Sequence, residues 1–325
     1  MRFCGILAAA VVLAASAASR AVTCTSQAEL SAQDRAALAV AGQQLTQAVI
    51  GEDLVTLKAD LLPAEASAWD TISATVDRAQ PLMQGGHAQL RDVYLLDASN
   101  QTAPADTEFY CSNASGSLTV TITMRELPPG RYALVLADAA GAPMGGPLGL
   151  ILAWDSPDDA WKLAGLSVHQ GIFDGHDGVW YWERARSLVS EDPWSAWYCY
   201  DMARYMVLPV DYLTSPNLDK LREEQTQITP PPPSQLPLSI PDGARTWKIE
   251  GVGIDVSLHE PDLDVVYQST GITDPAAQRT EAIAVLSALL KAKPGLRTNF
   301  HGLWAIADTN GKRTPVMELP MNQIP

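Results

Sequence analysis

Acid–base and metal chemistry draws mainly on histidine and on paired carboxylates, and here these residues are dispersed. Five histidines, His87, His169, His176, His259 and His301, are spread over 325 residues. None stands in HExxH spacing or beside a Cys-x-x-Cys pair, and no Gly-x-Ser-x-Gly elbow or phosphate-cradling glycine loop is present. The densest polar cluster is Asp174-Gly-His176-Asp177-Gly178. Its carboxylates and imidazole could ligate a divalent ion. Directly ahead of an amphipathic stretch led by Trp180, however, Asp177 has the simpler role of a helix cap. No catalytic residue, no metal site and no cofactor is assigned.

Aromatic residues offer a different chemistry, recognition by flat apolar surface. Trp180, Tyr181, Trp182, Trp194, Trp197, Tyr198, Tyr200 and Tyr205 fall within 26 consecutive positions. Trp194, Trp197, Tyr198 and Tyr205 repeat at helical spacing and read as core. Tyr181 and Trp182 are then expected to remain exposed, and exposed aromatics are frequent binding anchors. Tyr181, Trp182 and Trp194, together with Tyr94 and His169 on or near strands, form the candidate set for contact with a ligand or partner.

Cysteine use follows from the start of the chain. Residues 1–21 hold Arg2, an uncharged apolar run from Ile6 to Ala15, and small-x-small triplets at Ala15-Ser16-Ala17 and Ser19-Arg20-Ala21. This is the grammar of a secretory signal peptide, and the run is too short to span a bilayer. The chain is therefore expected to be exported, to the periplasm or beyond the cell. The alternative is a lipoprotein anchored through Cys24, although Thr23 and Arg20 depart from that pattern. With Cys4 lost in the leader, Cys24, Cys111 and Cys199 remain, so at most one internal bridge can form. Cys24 and Cys111 fall in the same expected unit and are expected to pair. Cys199, between Tyr198 and Tyr200, is expected to be a buried free thiol. A bridge to Cys199 would instead require the aromatic segment to lie against the first unit.

The bulk composition supports a folded, acidic protein. Hydrophobic residues make up 47% and charged residues 18%, enough apolar surface for real cores. The net charge of −15 becomes −17 once Arg2 and Arg20 leave with the leader. Such a surface repels phosphate backbones, so nucleic-acid partners are excluded, as is an integral membrane span.

Periodicity then sets the elements that must position these residues. Ser26 to Ile50 repeats apolar residues at three, four and seven and reads as helix, stopped by Gly51; a further helix is expected from Pro63 to Met83. From Arg91 onward the period becomes two. Six strands are expected, around 91–96, 108–111, 117–124, 131–136, 149–154 and 161–166, forming an antiparallel meander. Two helices follow, 179–188 and 194–207. Pro230 to Pro233 open a proline-rich segment that is expected to act as a stiff polyproline spacer. Beyond it, alternating strands flank a helix opened by Asp274-Pro275, and Asn310-Gly311 marks a hairpin. The fold class expected is α+β: helices on a curved antiparallel sheet, a helical hairpin, and a β-β-α-β-β unit. The divisions fall at 1–21, 22–170, 171–228, 229–243 and 244–325.

Two resemblances add to this reading. Helices leading into a meander, the Gly51-Glu52-Asp53-Leu54 step and the closing Trp161-Lys162-Leu163 strand resemble the nuclear-transport-factor-like (SnoaL-type, cystatin-like) cone fold. That resemblance implies a pocket able to hold a ligand or an acid–base pair, with Tyr94, Asp97 and His169 as its titratable candidates. The segment carrying Trp180, Ala196, Tyr200, Ala203 and Pro209 resembles a single tetratricopeptide repeat, although Glu183, Arg184 and Ser187 depart from the pattern. The function expected is a non-catalytic exported binding or scaffold protein acting through a protein partner or small ligand. An enzymatic cone pocket and a structural role in an envelope assembly are the alternatives.

Overall fold

The computed structural model describes residues 22–112 and 119–325, so the leader lies outside the described residues. The class is α+β, with eight helices and antiparallel sheets among the described residues. β1 (Thr23–Ser26) precedes α1 (Ala32–Ile50), which starts where the Ser31 side chain accepts a hydrogen bond from the Asp34 amide. The helix expected from Ser26 thus begins six residues later, because Thr23–Ser26 pairs with a strand instead. α2 (Leu54–Ala59) is capped in the same way by Asp53, and α3 (Trp69–Met83) follows a 3-10 turn at Pro63–Ala68.

The main sheet runs β1-β2-β5-β6-β7, with β2 at His87–Asp97, β5 at Arg131–Ala140, β6 at Pro147–Asp155 and β7 at Ala160–Val168. Alternation sorts its residues onto two faces. Val93, Leu95, Val135, Leu150, Leu152 and Leu163 pack under α1 and α3. Tyr94, Leu96, Leu134, Leu136 and Ile151 point the other way. That second face is covered by β3 (Ala105–Ser112), β4 (Thr119–Leu127) and β8 (Leu213–Thr214), which form a sheet of their own.

Here the expectation of one six-stranded meander is corrected. Tyr94-Leu95-Leu96 and Leu134-Val135-Leu136 are unbroken apolar runs, and such runs mark strands buried on both faces. β3 alternates instead: Thr107, Phe109 and Cys111 are buried while Glu108 and Tyr110 are exposed, as a one-faced cover requires. Cys24 on β1 and Cys111 on β3 form the expected disulfide, with Cα atoms 5.3 Å apart. It staples the cover to the edge of the main sheet.

The remainder is built around a second core. α4 (Gly178–Leu188) and α5 (Pro193–Val207) form the hairpin, and α6 (Pro216–Thr226) lies against α5. The C-terminal sheet has the order β13-β12-β11-β10-β9. Its strands are β9 (Leu238–Asp242), β10 (Arg245–Asp255), β11 (Asp262–Gln268), β12 (Gly302–Thr309) and β13 (Lys312–Pro320). α7 (Pro275–Ala292) crosses between β11 and β12, which are parallel, and α8 (Leu296–Asn299) follows it. Asn310 and Gly311 both take positive φ, 54° and 86°, as a tight hairpin turn of this type requires.

Trp194, Tyr198 and Met202 of α5 share one core with Ile249, Leu263, Val285 and Leu289 of the C-terminal unit. The spacer reading of 229–243 is corrected accordingly. Pro232 is buried within a 3-10 turn, Pro232–Gln235, and Gln235 accepts a hydrogen bond from the Trp194 indole at 3.2 Å. Ile228 and Ile240 anchor the two ends in the core, and 238–242 is strand β9. A proline-rich stretch makes few internal hydrogen bonds and displays apolar rings, so it packs wherever a flat aromatic surface is offered.

Candidate functional site

The second face of the main sheet is not completely filled. Between it and the helical hairpin lies a cavity of about 300 Å³. Tyr94, Val120 and Leu136 supply the wall on the sheet side, and Val179, Trp182 and Val207 the wall on the helix side. Gly149 makes room for the intervening chain: a Cβ there would collide with Val210, so only glycine lets the segment after α5 lie directly on the sheet. Pro209, beside Val210, also lines the cavity.

Two aromatic walls are held by different means. Tyr94 is buried, and desolvation, followed by the charge of Asp92, pushes its phenol up to about 12, so it stays neutral. Trp182 is fixed by a polar clamp. Its indole donates to Glu224 Oε2 at 2.7 Å, while Arg186 sits 4.5 Å from the ring centroid and grips Glu224 through two bonds of 2.7 and 2.8 Å. The bidentate Arg186 pair is the main reason the Glu224 carboxyl lies below its ordinary range. At the cavity's rim, the β2–β5 register shifts between Leu90 and Asp92. Such bulges re-aim side chains, and Arg91 here both lines the cavity and reaches Asp138 at 3.4 Å.

The other expected contact residues are placed elsewhere. Tyr181 is buried, and Trp180, 37% exposed, takes the outward position instead. The reason lies in the period: Gly178, Tyr181, Ala185 and Leu188 face the core at three, four and three, leaving Trp180 outside and Trp182 on the flank. That spacing was visible in the sequence but was masked by three consecutive aromatics. Trp194 is buried at the junction with the C-terminal unit, with Lys293 4.4 Å from its ring centroid. His169 stacks on Tyr205 with ring centroids 5.1 Å apart, and its Nδ1 lies 3.1 Å from the Tyr205 carbonyl. Asp97 accepts from the Ser99 amide and hydroxyl and serves its own turn. Of the expected set, the structure therefore brings together only Tyr94 and Trp182. Tyr94, Asp97 and His169 do not converge.

Asp177 caps α4 by accepting from the Trp180 amide at 2.8 Å, and His176 stacks on Trp180 at 3.7 Å. The chemistry that sequence reasoning missed is in the C-terminal sheet, where Asp262, His301 and Glu318 each place a ligand atom within 4.8 Å of the others. These residues are far apart in the chain, so no local motif could announce them. Cys24, being disulfide-bonded, has no thiol to carry a lipid, and no helix among the described residues is long and apolar enough to cross a membrane. Cys199 is buried and free, its thiol pushed up to about 12 by desolvation, which makes it unreactive. No family model, curated protein or solved structure matches this chain.

Proposed function

We propose that this chain is an exported binding protein that holds a small, mainly apolar ligand in the cavity between the main sheet and the helical hairpin. The observation carrying the reading is the meeting of Tyr94 and Trp182, from separate parts of the chain, on opposite walls of one 300 Å³ space. Ligand sites are typically apolar concavities with a few placed polar groups at one end. Arg91, Asp92, Ser215 and Asn217 are the charged and polar residues lining this one. Export is supported by the leader grammar of residues 1–21 and by a disulfide that persists in an oxidising compartment. Intact mass of protein from an extracytoplasmic fraction should begin after Ala17 or Ala21, and a retained Met1 would remove the export reading.

The ligand reading is tested with Nile red as an apolar probe. Val179 is 54% exposed and lines the cavity, so Val179→Trp should block it without disturbing a core. Saturable fluorescence enhancement in the natural chain, lost in Val179→Trp at unchanged melting temperature, is the expected result. Equal enhancement in both proteins sinks the proposal.

A further inference from the structure

The C-terminal sheet gathers carboxylates on the face turned away from its core. Leu263 and Val265 of β11 are buried in that core, so Asp262 and Asp264 alternate onto the opposite face. Asp264 lies level with Trp304 on β12, and Trp304 with Glu318 on β13. Asp255 of β10 pairs with Asp262 in register. His301 directly precedes β12, and its Nδ1 lies 2.9 Å from Asp262 Oδ1.

Three features distinguish this group from an ordinary acidic patch. Asp262 has a side chain only 1% exposed, and its Oδ2 has no hydrogen-bond partner among the described residues. Glu318 Oε1 is likewise buried and unpartnered. Buried carboxylate oxygens without a partner are costly, which makes them evidence for a missing positive charge. No Lys or Arg among the described residues pairs with Asp255, Asp262, Asp264 or Glu318 within 4.0 Å. Gly302 packs against both carboxylates. A Cβ there would approach Asp262 Oδ1 to 2.9 Å and Glu318 Oε1 more closely still, so glycine keeps the space between the donors open.

We propose that Asp262, His301 and Glu318 bind one divalent transition-metal cation of the Mn²⁺ or Zn²⁺ class, with Asp255 and Asp264 deepening the negative field around it. One imidazole and two carboxylates suit that class, whereas Ca²⁺ and Mg²⁺ prefer all-oxygen sets. The imidazole ligates in its neutral form, so the ion displaces any proton that His301 shares with Asp262. Three protein donors leave further coordination positions for water. The site lies in the other half of the molecule from the Tyr94–Trp182 cavity and does not depend on it.

The test is calorimetric titration of the chelator-treated full chain with MnCl₂, ZnCl₂, CaCl₂ and MgCl₂. One equivalent of Mn²⁺ or Zn²⁺ should bind with a Kd below about 10 µM, and Ca²⁺ and Mg²⁺ at least about tenfold more weakly. Asp262 is buried and its replacement endangers folding, so the variants are His301→Ala and Glu318→Gln, with the metal-free melting temperature as control. Each should weaken binding by about tenfold or more. Absence of saturable binding up to about 1 mM, or equal affinity in the natural chain and His301→Ala, overturns the site. Tighter binding of Ca²⁺ overturns the ion class.

Discussion

The two five-stranded sheets of this protein treat their second faces in opposite ways. The N-terminal sheet is apolar on both faces, with helices over one and a small sheet over the other. The C-terminal sheet is apolar on the face that meets α5 and α7, while its opposite face carries Asp255, Asp262, Asp264 and Glu318. The consequence is chemical. An apolar second face that is imperfectly covered leaves a cavity for apolar matter, and a carboxylate-bearing one gathers charge that a bound cation or a proton offsets. The halves also hold separate cores, 22–168 with 210–218 on one side and 173–207 with 221–324 on the other, so each should unfold as its own cooperative unit.

The largest expected effect breaks that comparison at the disulfide. Replacing Cys24 and Cys111 by Ala releases a loop constraint spanning 87 positions. The N-terminal half should lose about 4 kcal/mol, seen as an earlier urea transition for that half alone. A single transition that moves as a whole would show that the halves unfold together.

Next comes a pH effect confined to the C-terminal half. Burial raises Asp201 from 3.8 to about 6, opposed by its bond from Gln225 and by Arg204. A carboxyl with a raised folded pKa binds its proton more tightly in the folded state. Its stabilising contribution is therefore present below about pH 4 and is lost as pH rises through 6, by no more than about 3 kcal/mol. Asp201→Asn keeps an acceptor for Gln225 and should flatten the pH 4–7 stability profile of that half. An unchanged profile would show that Asp201 is solvated.

The smallest effects compare caps. Ser31→Ala removes the α1 cap and Asp274→Ala the α7 cap, each costing about 1 kcal/mol. The first should shift only the N-terminal transition and the second only the C-terminal one, as read by paired urea melts. Limited proteolysis sharpens the same boundary. Because α5 and β9–β11 share a core, no stable fragment beginning after the proline segment should accumulate.

Local signals carried much of this architecture. Period-two runs marked the strands, Asp177 and Asp274 marked helix starts, Asn310-Gly311 marked its hairpin, and cysteine arithmetic pointed to Cys24 and Cys111. Each depends on neighbours within a few residues or on counting, and so is readable along a chain. Tertiary structure decided the rest. Whether β3 and β4 continue the meander or fold over it depends on which apolar face lacks cover, a property of the assembled sheet. Whether the proline run stands clear in solvent or packs through Pro232 depends on the indole of Trp194 and its bond to Gln235. The meeting of Tyr94 with Trp182, and of Asp262 with His301 and Glu318, depends on strand register and crossover. Residues so distant in sequence have no spacing rule, because their separation is set by the three-dimensional path of the chain between them.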